Sequence, residues 1–447
     1  MRAIGLDIGT TSISAVVLDA KIGLVERSWT IPNPGFIRSD HAWERLQDAD
    51  GIAVSAEGLL HEILASWPDI SVIGLTGQMH GIVYLDKAGK AISPLITWQD
   101  ERGNLVGDDG LSVCEAIAER YHVKAYSGYG LISHLYNLRT DTVPGSAAAL
   151  ATAADYLGMR LTGAESPVLH SSMAASLGLY DIGAHTWRRD ILAAFGEEGR
   201  ILPRVLRKFE IFGSCRGIPV CIAVGDNQAS FLGSVRNAGE EILVNMGTGG
   251  QISMMTCGVI EAEDVETRPF NEEAYLAVGA SLCGGRAYAM LAAFMKDCAE
   301  AFGGNTEDVY AVMEQLLAAP ACVDPLRIDA RFAGTREHPG HRGSITGISM
   351  DNFTPAELVR AMLGGMVQEL WDLYRTMNPN QTVRHQRIIA SGNGMRRNRC
   401  LQNIAAERFG MTLELSAQTE EAACGAALAG LDAIGSRSWR ETIGYRN

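Results

Sequence analysis

The sequence predicts an α/β protein built from two similar halves, and three observations carry that prediction. At 447 residues the chain exceeds one ordinary core and fits two domains of about 200 residues each. Apolar residues make up 47% and aromatic ones 7%, enough to bury sheets and helices and unlike the composition of a disordered chain. The pattern apolar strand, Gly-Thr turn, apolar strand occurs twice, in MRAIGLDIGTTSISAVVLDA and again in EEILVNMGTGGQISMM.

In the first copy Ile4, Leu6 and Ile8 alternate before Gly9, and Ile13, Ala15 and Val17 alternate after it, the period of a hairpin with one buried face. Asp7 interrupts that run, and a carboxylate among buried apolar residues needs a metal, a hydrogen-bond network or a ligand. Leu24 to Ile31 completes a meander. SVIGLTGQMHGIVYLDKAGKAISPLITW gives strands at Val72 to Leu75, Gly81 to Leu85 and Ile92 to Trp98, with a turn at Lys87-Ala88-Gly89. From about Val113 to Leu161 the composition is helical, with LISHLYNLRT as an amphipathic piece. VCIAVGDNQASFLGSV is a strand that ends at Gly225-Asp226 and runs into a helix of small residues.

After the second hairpin, AMLGGMVQELWDLYRTM reads as a helix and RIIASGNGMRRNRCLQNIAAERFG as strand, glycine turn and helix. TLELSAQTEEAACGAALAGLDAIG reads as a short strand, a linker and a helix of small residues able to pack closely. The duplication alone places the boundary near Ser234, giving domains at 1–234 and 235–447.

Net charge is −14 and the densest basic cluster is only Arg396-Arg397-Asn398-Arg399, so no surface tracks a nucleic-acid backbone. An anionic ligand must then be taken by backbone amides, a helix N-terminus or a metal. Two Gly-Thr turns facing one cleft would supply amides and hydroxyls from both halves. The nine cysteines are scattered and never spaced CxxC, which fits neither a disulfide framework nor a structural zinc site and implies a reducing compartment. Cys283 and Cys424, in Gly- and Ala-rich stretches, read as inert core. There is no secretory pattern at the N-terminus and no apolar run of about 18 residues. The expectation is a cytoplasmic protein with no nucleic-acid and no membrane partner.

DIGTTS, GLTGQMHG, ITWQDER, GDNQAS, VNMGTGG and SGNGMRRNRCLQ, in that order and over nearly the whole chain, resemble the FGGY carbohydrate kinases, the sugar-kinase branch of the actin and Hsp70 ATPase superfamily. The resemblance implies two actin-like (ribonuclease H-like) domains with a cleft between them, the first binding sugar and carrying the catalytic base, the second binding nucleotide. It implies ATP and Mg²⁺ as cofactors, a small-molecule sugar as substrate, and a homodimer. GQMHG is similar to the ketose kinases rather than to the glycerol kinases. LHSSMAASLGLYD, GDNQASFLGSV and FAGTREHPGHRGSITGIS look closer to the seven-carbon than to the five-carbon ketose kinases.

Phosphoryl transfer needs an aligned nucleophile, a base for its proton and compensation of charge. By resemblance Asp226 is the base, and its place at the end of an apolar strand is where α/β enzymes put ligands; a helix-capping aspartate is the alternative. Asp7 resembles the aspartate that holds hydrated Mg²⁺, an ion that needs few carboxylates; a carboxylate satisfied by the hairpin turn is the alternative. Gly9, Thr10 and Thr11 from one turn, and Gly247, Thr248 and Gly249 from the other, resemble phosphate-binding loops. Gly392 and Gly394 resemble the turn under the adenosine, with Asn398 reaching base or ribose, while Arg396 and Arg397 read as surface charges. Asn393 stands where the family more often has glycine, and Asn tolerates left-handed dihedrals better than most residues. For the sugar the resemblance points to Gln78, Met79, His80, Trp98, Asp100, Arg102 and Asn227. A satisfied structural histidine and a core tryptophan are the alternatives for His80 and Trp98.

Two other classes fit less well. A sugar-responsive regulator calls for a DNA-binding extension, and a filament or chaperone-like ATPase calls for neither a base at Asp226 nor the GQMHG motif.

Overall fold

A computed structural model describes residues 1–272, 274–304, 307–379 and 383–445. The chain divides into two compact units, one of Met1–Ser234, Arg268–Ala274 and Gln418–Ile443, the other of Val235–Thr267, Tyr275–Ala417 and the last residues.

The first unit is built on β1 (Arg2–Ile8), β2 (Ser12–Asp19) and β3 (Leu24–Pro32), an antiparallel meander as its alternation and Gly9 turn predict. Helix α1 (Ala49–Ser66) starts where the Asp48 side chain accepts from the Gly51 amide, and it leads into β4 (Ile70–Gly77), which lies parallel to β1. The strands expected at Gly81–Leu85 and Ile92–Trp98 shorten to Val83–Leu85 and Leu95–Ile96. Helices α2 (Gly130–Arg139), α3 (Ala153–Thr162) and the short α4 (Ser171–Ser176) follow. LISHLYNLRT, expected to be amphipathic, buries polar residues along with apolar ones: Leu131 to Leu135 and Asn137 are all buried, Ser133 and His134 among them. Then come β5 (Ile211–Cys215), β6 (Ile218–Cys221), β7 (Val224–Gly225) and α5 (Asp226–Ser234). The sheet runs β5-β6-β4-β1-β2-β3, with β7 also on β4.

The second unit repeats the plan with β8 (Glu241–Met246) and β9 (Gly250–Thr256) as its hairpin and β10 (Ala274–Ser281) beside β9. Helices α6 (Gly284–Ala301), α7 (Val309–Leu316) and the long α8 (Pro355–Met377), capped by Thr354, precede β11 (Arg387–Ser391). The glycine turn expected after β11 is itself helical, α9 (Gly392–Arg397), followed by α10 (Arg399–Phe409) and β12 (Thr412–Leu415). Five strands of this sheet, β10-β9-β8-β11-β12, follow the spatial order of β3-β2-β1-β4-β6 in the first sheet, and each sheet carries a further edge strand, Val265–Asn271 beside β10 here and β5 beside β6 there. The repeat seen in two hairpins is therefore a repeat of five strands.

The last helix, α11 (Glu421–Ala433), corrects two expectations. It belongs to the first unit, so the second domain is not the single stretch 235–447. It also packs on β1 and β4, so the first hairpin is buried on both faces rather than one. Small residues are the cause: a Cβ on Gly5 would lie 1.8 Å from the Ala423 carbonyl oxygen, and one on Gly74 would lie 1.8 Å from that of Ala426. On the helix side, a Cβ at Gly425 would meet the Ala229 carbonyl oxygen of α5 at 1.8 Å. Only glycine at these positions lets the helix backbone settle onto the sheet.

Among the described residues no disulfide forms, and no helix is long and apolar enough to cross a membrane. Cys283 and Cys424 are both buried.

Candidate active site

In the first unit the predicted residues converge at the C-terminal ends of β1, β4 and β7. The Gly9-Thr10-Thr11 turn is tied down from several sides. Asn33 Nδ2 donates to the Gly9 carbonyl at 2.8 Å, and Gln47 Nε2 donates to the Thr10 carbonyl at 2.8 Å. The Thr10 hydroxyl accepts from Trp98 Nε1 at 3.0 Å and reaches Gln78 Oε1 at 3.5 Å, while Gln78 Nε2 donates to Gln47 Oε1 at 2.9 Å. One network thus joins the first turn, the GQMHG loop and Trp98. Gln47 closes it, and nothing around LQD in the sequence marks that role. Trp98 is 45% exposed, so it is not a core tryptophan and its ring offers an open apolar face.

Met79 is buried, its sulfur 4.0 Å from Arg268 Nη1 and in the space that a Cβ on Gly225 would need. His80 takes a left-handed backbone, φ 75°, and stacks on Tyr129 with ring centroids 4.6 Å apart and planes at 6°. Asp100 and Arg102 behave otherwise than predicted. They are buried and paired with each other, Arg102 Nε to Asp100 Oδ1 at 2.7 Å and Nη2 to Oδ2 at 3.1 Å. Asp100 also accepts from the Arg45 amide, and Arg102 also donates to Asn137 Oδ1 at 2.7 Å. Burying either ion without such partners is costly, so these hydrogen bonds are ones the fold itself requires.

Asp226 opens α5 directly after β7. Burial raises its pKa, and the Arg268 guanidinium and the Asn227 amide oppose that rise. Asn227 is buried with its Oδ1 lacking a hydrogen-bond partner. At Asp7, burial first and then the charges of Asp226 and Glu420 push the pKa up to about 7. The Asp7 Oδ1 atom is buried with no hydrogen-bond partner. A divalent cation fits that orphaned oxygen, since it would favour the ionised form that the neighbouring carboxylates disfavour. The described residues contain no group of three or more His, Cys, Asp or Glu able to cage a metal, so the donor set suits an ion that keeps most of its water. Arg268 and Glu420 escape the sequence reading because they come from segments far from the motifs they face.

In the second unit Gly247, Thr248, Gly392, Gly394 and Asn398 line one cavity of about 1020 Å³, with Arg286, Tyr288, Tyr310, Asp308 and Glu314. Gly392 and Gly394 fit under Met246, whose carbonyl oxygen would lie 2.6 and 2.7 Å from a Cβ at the two positions. The second turn is stapled to the start of α6, where the Gly285 and Arg286 amides donate to the Gly247 and Thr248 carbonyls, each at 3.0 Å. Gly249 does not line the cavity; a Cβ there would lie 2.7 Å from the Ser281 carbonyl oxygen. Asn398 caps α10 by accepting from the Leu401 amide at 2.9 Å. Arg397, expected as a surface charge, also lines the cavity, and Arg396 donates to the Ser416 carbonyl at 3.2 Å.

Two α/β units of matching strand order, each with a glycine turn after its first strand, define the class as a two-domain kinase fold. The chain belongs to the FGGY family of carbohydrate kinases: the family's N-terminal domain matches residues 2–233 and its C-terminal domain matches residues 242–434. It is a carbohydrate kinase, a phosphotransferase with an alcohol group as acceptor. The chain is 27% identical over 480 residues to the sedoheptulokinase of Mus musculus, covering 95% of this chain and 96% of that protein. It is 26% identical to the glycerol kinase of Deinococcus radiodurans over 98% of this chain and 90% of that one. The crystal structure of xylulose kinase from Rhodospirillum rubrum superposes with a TM-score of 0.84 at 23% identity, covering 99% of this chain and 92% of that one.

Proposed function

We propose that this kinase transfers the γ-phosphoryl group of ATP to the terminal primary hydroxyl of a ketose, and that the ketose is sedoheptulose, giving sedoheptulose 7-phosphate. The observation that supports the chemistry is the setting of Asp226, a buried carboxylate at a strand end, with Arg268 favouring its ionised form and the Asn227 amide oxygen still unsatisfied beside it. The resemblance of GQMHG and LHSSMAASLGLYD, together with the sedoheptulokinase relative, supports the substrate.

In this reading Asp226 accepts the proton of the attacking hydroxyl. His80 and Asn227 meet the sugar's hydroxyls and Trp98 its carbon face, while the buried Gln78, engaged with Gln47 and Thr10, braces the turn beside them. A site built on such groups rejects analogues that leave them unpaired. The cavity of the second unit takes the adenosine between Gly392, Gly394 and Asn398, and Gly247 and Thr248 lie toward the phosphates. Asp7 would hold hydrated Mg²⁺, and Gly9, Thr10 and Thr11 would offer amides and hydroxyls to phosphate oxygens. The ion, when bound, neutralises charge that builds up on the transferring phosphoryl group.

The test is ADP release with Mg·ATP across sedoheptulose, D-xylulose, D-ribulose, L-ribulose, D-fructose and glycerol. Sedoheptulose should give the highest kcat/KM. D-xylulose in first place would make the enzyme a xylulokinase. No acceptor above the blank would contradict the ketose reading.

A further inference from the structure

The stretch LHSSMAASLGLYD plays no part in the reaction as described so far, yet its helix touches both sides of the acceptor site. In α4 (Ser171–Ser176) two of the three buried serines, Ser172 and Ser176, stand four residues apart, on one face. Each hydroxyl has its proton committed to one partner and its lone pair to another.

The Ser172 amide donates to His170 Nδ1 at 3.2 Å, so that nitrogen is an acceptor and the Ser172 hydroxyl, 2.7 Å away, donates to it as well. Burial pushes the pKa of His170 down to about 3, which keeps the ring neutral and able to accept. The Ser172 oxygen is thereby turned to receive the Gly225 amide at 2.9 Å, on the residue that directly precedes Asp226. The Val224 carbonyl, one residue earlier, accepts from the Thr76 hydroxyl at 2.7 Å.

Ser176 repeats the device. Its hydroxyl donates to the Met173 carbonyl at 2.8 Å and accepts the His80 amide at 3.0 Å. Its own carbonyl lies 2.7 Å from His80 Nδ1. A carbonyl only accepts, so His80 Nδ1 carries a hydrogen and Nε2 is the ring's acceptor when the ring is neutral. These bonds hold His80 in a left-handed backbone that a bulky side chain adopts only when its surroundings impose it.

We infer that α4 is a positioning element for phosphoryl transfer: Ser172 sets the backbone that aims Asp226, and Ser176 sets the conformation and tautomer with which His80 meets the acceptor. Both side chains act through other residues, and the inference rests on the reading of Asp226 as base and His80 as a sugar contact. A single six-residue helix gives base and sugar loop a common reference, as a reaction sensitive to misplacements of about 1 Å requires.

The experiment compares full-length wild type, Ser172→Ala, Ser176→Ala and Asp226→Asn in steady state with the best ketose, alongside thermal melts. Ser172→Ala should lower kcat about tenfold or more with the sugar KM within about twofold, the sign of an interaction felt mainly in the transition state. Ser176→Ala should raise the sugar KM about fivefold or more with kcat within about threefold. The KM for ATP should hold in both. On Asp226→Asn, the Ser172 change should cost nothing further, since it acts through that carboxylate. If Ser172→Ala does not fold, Ser172→Cys replaces it and must move kcat in the same direction. Wild-type kinetics in both serine variants beside an inactive Asp226→Asn, or a rise in the KM for ATP together with that for sugar, would overturn the inference alone. Normal turnover by Asp226→Asn would remove the base assignment and the Ser172 role with it.

Discussion

At Asp7 one carboxylate oxygen is buried without a hydrogen bond, and Asp226 and Glu420 add to burial in raising its pKa to about 7. A hairpin that used Asp7 for its own structure would have given that oxygen a donor. Asp7→Ala should therefore weaken Mg·ATP binding about tenfold or more by titration calorimetry while leaving metal-free ATP binding as in wild type. Unchanged Mg·ATP affinity would return Asp7 to a purely structural role. In the sequence Asp7 is conspicuous as a lone acid inside an apolar run, and Asp226 by its place at a strand end and the resemblance of GDNQAS. ITWQDER shows the polarity of Asp100 and Arg102 but not that the two side chains fold back on each other. Arg268 and Glu420 were not legible, as each becomes meaningful only when the fold brings it to Asp226 or Asp7.

Among the elements, α11 depends on the absence of side chains. Gly5→Ala would put a methyl group 1.8 Å from the Ala423 carbonyl oxygen, a clash with backbone that no rotamer relieves. It should cost about 3 kcal/mol of stability, seen as a lower denaturant midpoint at unchanged m-value. An unchanged midpoint would contradict the close seating of α11. Helix α3 carries a different liability. Its Asp155 accepts from the Thr152 hydroxyl at 2.6 Å, but burial pushes the pKa up to about 7 and Oδ1 has no hydrogen bond. A raised folded-state pKa contributes stability that is present below the unfolded value near 3.9 and is lost as pH rises through about 7. Asp155→Asn should accordingly gain in melting temperature relative to wild type between pH 5 and pH 8, and an equal difference at both pH values would contradict this. The sequence showed α11 as a helix of small residues, and so its capacity for close packing. It did not show which sheet receives it, because the partner glycines, Gly5 and Gly74, lie more than 300 residues away.

Over the whole molecule, the repeat legible in two Gly-Thr hairpins extends to five strands of each sheet in the same spatial order. Alternation and turn glycines carry that signal, which is why the hairpins could be read and the return of Gln418–Ile443 to the first unit could not. The role proposed for Asp226 in this kinase is to take the proton of the acceptor hydroxyl. Its most direct test is phosphoryl transfer to sedoheptulose at saturating Mg·ATP by wild type and Asp226→Asn, with binding of both ligands measured separately. Asp226→Asn should transfer phosphoryl at least about 100-fold more slowly with binding of both ligands within about threefold of wild type; a rate within about threefold of wild type would rule out Asp226 as the base.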